Sequence, residues 1–254
     1  MEQSLLKTGL RGLVVLVTGA TGNVGWGAAQ AFAAAGAHVV APVRGGAAAE
    51  QVRALLPADQ HLVVTADLGR EEDVTALRDA ALARFGHIDH VVAAIGPWWQ
   101  KGLVIEQSLS EFRAVSNTYV ESHFLLARTL LPVLRYRVGT SYTLVTGAAG
   151  ELAIPGAGLM VIAVMSQFGL SRMLRAEHNA DPVRVNELRI SARIEKRPRP
   201  GVIESQQAGQ VFTALALADI RSSVVLYRRP EDAVQLPVHT REEATAEPPA
   251  AFGA

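Results

Sequence analysis

The sequence predicts a doubly wound α/β fold, a mainly seven-stranded parallel sheet with helices on both faces. Short apolar runs of strand length recur at 14–18, 38–43, 61–66, 90–95, 141–146, 184–190 and 224–227. Stretches of helical character lie between them at 26–35, 47–55, 71–85, 110–136, 159–178 and 206–218. Strand and helix alternating along the whole chain imply parallel strands covered on both sides. The composition agrees: 49% of residues are apolar and only 6% aromatic, as suits Val-, Leu- and Ala-rich strands buried on both faces.

The elements follow from local chemistry. The first apolar run, from Leu13, ends in the loop TGATGNVG (18–25). Gly19 suits a tight turn off the strand, Gly22 leaves backbone bare, and Gly25 lets the next helix approach the sheet. A strand feeding a helix through such a loop presents unpaired amides and a positive helix end, which together hold a pyrophosphate. Gly36 stops that helix before the second strand. The basic, proline-broken stretch SARIEKRPRPG (191–201) reads as a surface loop. Residues 1–229 are expected to form one domain, and 230–254, rich in Pro, Ala and Glu, an extended or loosely ordered tail.

Composition narrows the function. Lys plus Arg equals Asp plus Glu at 24 each, so no global field draws nucleic acid or an acidic membrane. The absence of cysteine excludes disulfides, thiol nucleophiles and thiolate metal sites. Seven histidines form no HExxH or HxxxH pattern, so no metal is expected. No apolar run reaches membrane-spanning length, and residues 1–12 lack the apolar segment of a signal peptide. A cytoplasmic protein is expected.

Several motifs recur in a telling order. After TGATGNVG come Asp67-Leu68 behind the third strand, AAIG (93–96) behind the fourth, LVTGAAG (144–150), Pro155-Gly156 before a long helix, and RVN (184–186). Over about 12–227 the chain resembles the short-chain dehydrogenase/reductase family, with a glycine spacing nearer its extended or atypical branches. The resemblance implies a Rossmann-type fold and a nicotinamide dinucleotide held by Thr18, Gly19, Thr21, Gly22, Asn23, Val24 and Gly25, with Asp67, Leu68, Ala94 and Gly96 completing the site. It also implies a homodimer or homotetramer joined through helices 110–136 and 159–178.

Chemistry in that family uses a tyrosine acid/base, a lysine four residues later, a serine and an asparagine. A phenol of pKa about 10 needs a neighbouring cation to work near neutrality. Aligned on VTGAAG and Pro155-Gly156, the serine position is Gly147, the tyrosine position Met160 and the lysine position Val164. The asparagine position is Tyr119. The stretch 151–167 contains neither Tyr nor Lys, so a shift of frame restores nothing. Asn117 and Thr146 are the remaining near-equivalents. The proline-glycine turn after the sixth strand is replaced by Ile190-Ser191, whereas the diphosphate end keeps its glycines and Asp67.

Further residues carry candidate chemistry. Val43 ends the second strand without a carboxylate and Arg44 follows, which favours NADP(H), with NAD(H) the alternative. Trp98, Trp99 and Met160 are candidate substrate-pocket residues, or the indoles pack the loop onto the body or another subunit. Tyr119 and His123 share a helix face and, with Thr146, are candidates for new acid/base chemistry; a buried interface face is the alternative. Helix 159–178 is apolar on more than one face, which suits a subunit contact. Three functions are in view. The first is an NADP(H)-binding protein without the usual tetrad, acting as a noncanonical or pseudoenzyme partner to an active reductase of the same family. The second is an enzyme repurposed for cyclisation, dehydration or isomerisation of an apolar, polyketide-like small molecule, and the third an atypical NADP-dependent oxidoreductase.

Overall fold

The computed structural model describes residues 9–239. Seven parallel strands run in the order β9-β6-β5-β4-β1-β2-β3, with a short β10 (Val238–His239) added antiparallel to β9. They are β1 (Val14–Val17), β2 (His38–Val43), β3 (Leu62–Thr65), β4 (His90–Ala93), β5 (Ser141–Gly147), β6 (Arg184–Ile190) and β9 (Val224–Tyr227). This is the doubly wound Rossmann-type sheet that the alternation of elements implies.

Side-chain alternation along the strands divides the core into two layers. Val15, Val17, Val39, Ala41, Val145 and Leu188 face α1 (Asn23–Ala34), α2 (Ala47–Leu55) and α7 (Ser205–Leu217). Val14, Leu16, Val40, Tyr142, Leu144 and Val185 face α3 (Glu71–Phe85), α5 (Ser122–Leu134) and the C-terminal half of α6 (Gly158–Glu177). Helices α1 and α7 cross glycine on glycine: a Cβ on Gly27 would overlap the Ser205 carbonyl, and one on Gly209 the Gly27 carbonyl. That close approach ties the glycine loop at the start of α1 to the segment entering α7.

Four features differ from the sequence reading. The helix expected at 110–136 is α4 (Leu109–Ser116), a π turn (Asn117–Glu121) and α5 in succession. Ser108 caps α4, accepting the Glu111 amide at 3.2 Å. The stretch expected as a plain surface loop carries β7 (Ile194–Glu195), paired in parallel with β8 (Ile203–Glu204). Residues 230–239, expected as the start of the tail, contain α8 (Asp232–Gln235) and β10 (Val238–His239). The rest of that expected tail, 240–254, lies outside the described residues. Finally, α6 is long and apolar enough to cross a membrane, contrary to the sequence expectation, although it packs against the sheet layer through Leu170 and Leu174 and buries Leu159, Ala163, Gln167 and Arg175.

Candidate functional site

The C-terminal ends of β1 to β4 carry the sequence-predicted dinucleotide residues along one edge of the sheet. Gly19 has φ +66°, and a Cβ there would overlap the Ala94 carbonyl; one on Gly25 would overlap the Gly19 carbonyl. Both positions are closed to side chains by backbone. Gly22 differs, because a Cβ there has only the Gly19 carbonyl nearby, at 3.3 Å. The outer side of the loop is open. Helix α1 starts after Gly22 with no side-chain cap and no acidic residue in its first turn, so its positive end is unshielded. Thr21 and Val24 are half-buried beside exposed Asn23.

Thr18 directly follows β1 at the start of the loop. It is fully buried, donating to the Val92 carbonyl at 3.3 Å and accepting the Ala94 amide at 2.8 Å. It braces β1 against β4 and so positions the loop. Arg44 stands exposed past β2 with no ion pair among the described residues. Exposed Asp67 accepts the Gly69 amide at 3.1 Å, while its own amide donates to Asp73 at 2.8 Å. Those bonds fix the turn that carries Leu68. Ala94 and Gly96 line the end of β4, half-buried and exposed respectively.

Sequence reasoning missed Lys196. Its Nζ donates to the Thr21 carbonyl at 3.1 Å and lies 4.1 Å from the centre of the Trp26 ring. The basic character of 191–201 was the available signal. What it could not give was the pairing of β7 with β8 that carries Lys196 to the glycine loop.

Beyond Gly96 apolar side chains pack together. Tyr119, Met160 and Val164 are each less than 5% exposed and share an apolar cluster with Val115, Ala157, Leu159 and Ala163. Half-buried Trp99, Ile154 and Phe168 pack against it. Gly96, at φ +135°, leaves room for the Tyr119 ring; a Cβ there would sit 2.6 Å from it. Burial pushes the Tyr119 phenol up to about 12. His123 is fully buried with Nε2 3.1 Å from the Ile95 carbonyl, and burial pulls its pKa down to about 4. Both side chains are therefore neutral near pH 7. Tyr119 OH, His123 Nδ1 and Trp99 Nε1 are buried with no hydrogen-bond partner among the described residues.

The other candidates point elsewhere. Thr146, at the end of β5 beside half-buried Gly147, donates its hydroxyl to Glu187 at 2.6 Å. Glu187 pairs with Arg189, which also reaches Glu151 and lies 4.0 Å over the Phe168 ring. Thr146 therefore belongs to a buried ionic network. Asn117 donates to the Gly69 carbonyl at 3.4 Å and to Glu121 at 3.1 Å, and so braces the turn after β3. The two indoles part company: Trp98 is 63% exposed and bonded to Gln100, whereas Trp99 faces the cluster beneath Lys101. Among the described residues no group of His, Asp and Glu could hold a metal.

With that geometry in place, comparison with known proteins gives three findings. The family model described as enoyl-(acyl carrier protein) reductase matches residues 19–210. Among curated relatives, dehydrogenase/reductase SDR family member 4 of Rattus norvegicus is 26% identical over 228 residues, covering 87% of this chain and 77% of its own. The 2,5-dichloro-2,5-cyclohexadiene-1,4-diol dehydrogenase of Sphingobium indicum is 32% identical over 184 residues, 70% of this chain and 72% of its own. Among solved structures, a dehydrogenase/reductase from Sinorhizobium meliloti superposes with TM-score 0.77 at 18% identity, covering 89% of this chain and 98% of its own. That likeness concerns the fold.

Proposed function

Because this chain belongs to the short-chain dehydrogenase/reductase family, we propose that it binds NADP(H) along β1 to β4 but does not use it for hydride transfer through a tyrosine–lysine pair. The diphosphate end fits such a ligand: backbone excludes side chains at Gly19 and Gly25 while leaving Gly22 open before an uncapped helix. Exposed Arg44, with no ion pair among the described residues, suits a 2'-phosphate. When bound, the nicotinamide supplies a transferable hydride, but the residues at the acid/base positions offer no proton. One observation supports the reading: Met160 and Val164, which the resemblance aligns with the family's tyrosine and lysine, are buried in an apolar cluster one helical turn apart.

On this reading the protein is a noncanonical member acting beside an active reductase. Exposed Phe124, Met165 and Met173 on α5 and α6 support a homodimer or homotetramer joined there. The test titrates cofactor-free protein with NADPH, NADP and NADH by calorimetry and follows NADPH oxidation with a ketone panel. Micromolar binding that prefers the phosphorylated forms, without turnover, is expected. Turnover, or no binding of any dinucleotide, defeats the reading.

The three unpartnered polar atoms of Trp99, Tyr119 and His123 favour a second reading, an enzyme repurposed for a nonredox step on an apolar small molecule. It requires a buried substrate oxygen to take those bonds.

A further inference from the structure

We propose that Lys196 is a phosphate clamp, exchanging the Thr21 carbonyl it now holds for a diphosphate oxygen of the bound dinucleotide; this rests on the dinucleotide reading above.

The first ground is position. Lys196 follows β7, and its Nζ reaches the glycine loop itself, 3.1 Å from the Thr21 carbonyl between Gly19 and Gly22. The segment bearing it is held from two sides. Ile194 pairs with Ile203, and the Ile203 amide donates to the Arg193 carbonyl at 2.9 Å. The chain then enters α7, which crosses α1 at Gly27 and Gly209. The lysine is thus anchored to the helix whose positive end forms the candidate phosphate site.

The second ground is charge. The neighbouring carboxylate, Glu195, is engaged by Arg193 at 2.8 Å and by Arg199, and no carboxylate pairs with Lys196 among the described residues. Lys196 is half-buried, its polar contacts being one neutral carbonyl and the face of Trp26. Burial accordingly pulls its pKa down. A partly desolvated cation without an anion, beside unshielded amides, is matched by a negative ligand, since a hydrogen bond between charged groups is roughly twice as strong as one between neutral groups.

The test compares the wild type with Lys196→Met and Lys196→Arg by calorimetry, using NADP and adenosine 2'-monophosphate, which lacks a diphosphate. Thermal midpoints confirm folding, and Met keeps the aliphatic stem over Trp26. Lys196→Met is expected to weaken NADP at least tenfold and to leave adenosine 2'-monophosphate within twofold, whereas Lys196→Arg stays within about fivefold for both. A Lys196→Met variant that binds NADP as tightly as the wild type overturns the clamp and leaves the dinucleotide reading standing. Equal weakening of both ligands also overturns it. Wild-type protein that binds neither ligand overturns the dinucleotide reading, and the clamp with it.

Discussion

Replacing Arg189 with Met should destabilise the protein more than a typical core substitution. The side chains of Arg189 and Glu187 are 1% and 0% exposed, and a single Glu187 oxygen takes both the guanidinium at 2.9 Å and the Thr146 hydroxyl at 2.6 Å. Removing the guanidinium leaves a buried carboxylate supported by one hydroxyl. Its second oxygen already lacks a hydrogen-bond partner among the described residues. Breaking a buried pair from one side costs about 3–5 kcal/mol. For a domain of this size each kcal/mol lowers the midpoint by roughly 2–4 °C, so Arg189→Met should lower Tm by about 6–20 °C. The double variant Glu187→Leu/Arg189→Met removes both charges, and replacing a whole buried pair with apolar groups is neutral to stabilising by about 1–4 kcal/mol. Thermal denaturation followed by circular dichroism reads both variants. A loss under about 2 °C for the single variant, or a double variant as unstable as the single, would refute the buried pairing.

Other outcomes follow from the site. Gly22→Asp should abolish dinucleotide binding without unfolding the chain, because the added carboxylate enters the open side of the loop and repels phosphate; calorimetry with NADP reads it. Burial holds both His90 and His123 near pKa 4, below the unfolded value of about 6.5. The unfolded chain therefore binds more protons between those values. Stability is full above pH 6.5 and falls toward pH 4, by up to about 1.4 kcal/mol per pH unit per histidine. A urea midpoint unchanged between pH 7.5 and 5.0 would contradict this burial. Tyr119→Phe removes an unpartnered buried hydroxyl and should leave stability unchanged or slightly raised. Loss of biological activity in that variant, with NADP affinity retained, would transfer support to the repurposed-enzyme reading.

The sheet was legible because seven apolar runs separated by helical stretches admit few arrangements. What escaped was too short or too distant to leave a pattern. Two-residue β7 and β8 have no measurable period, and the π turn at Asn117–Glu121 leaves the apolar spacing around it nearly unchanged. The glycine loop could be read because its constraints are local: the carbonyls that forbid a Cβ at Gly25 belong to Thr18 and Gly19. Lys196 could not, since its partner lies 175 positions earlier in the chain. Glu187 and Arg189 escaped for another reason. Charges in a central strand read as solvent-facing until the helix that covers them is placed, and here α6 brings Phe168 over the guanidinium.

The two ends of the candidate site are held by different physics. Near the glycine loop, backbone does the shaping: carbonyls exclude side chains, an uncapped helix start faces outward, and Lys196 reaches in from β7. Beyond Gly96, side chains do it, with Tyr119, Met160 and Val164 close-packed above an ionic network centred on Glu187. On the proposed reading, the missing tetrad is thus more than four absent functional groups, because their places are occupied. A tyrosine and a lysine restored at 160 and 164 would put a phenol and an ammonium into a buried apolar cluster. Recovering hydride-transfer chemistry would require repacking Tyr119 and Phe168 as well. The diphosphate end needs no such change, so on the proposed reading nucleotide binding and catalysis are separable in this chain.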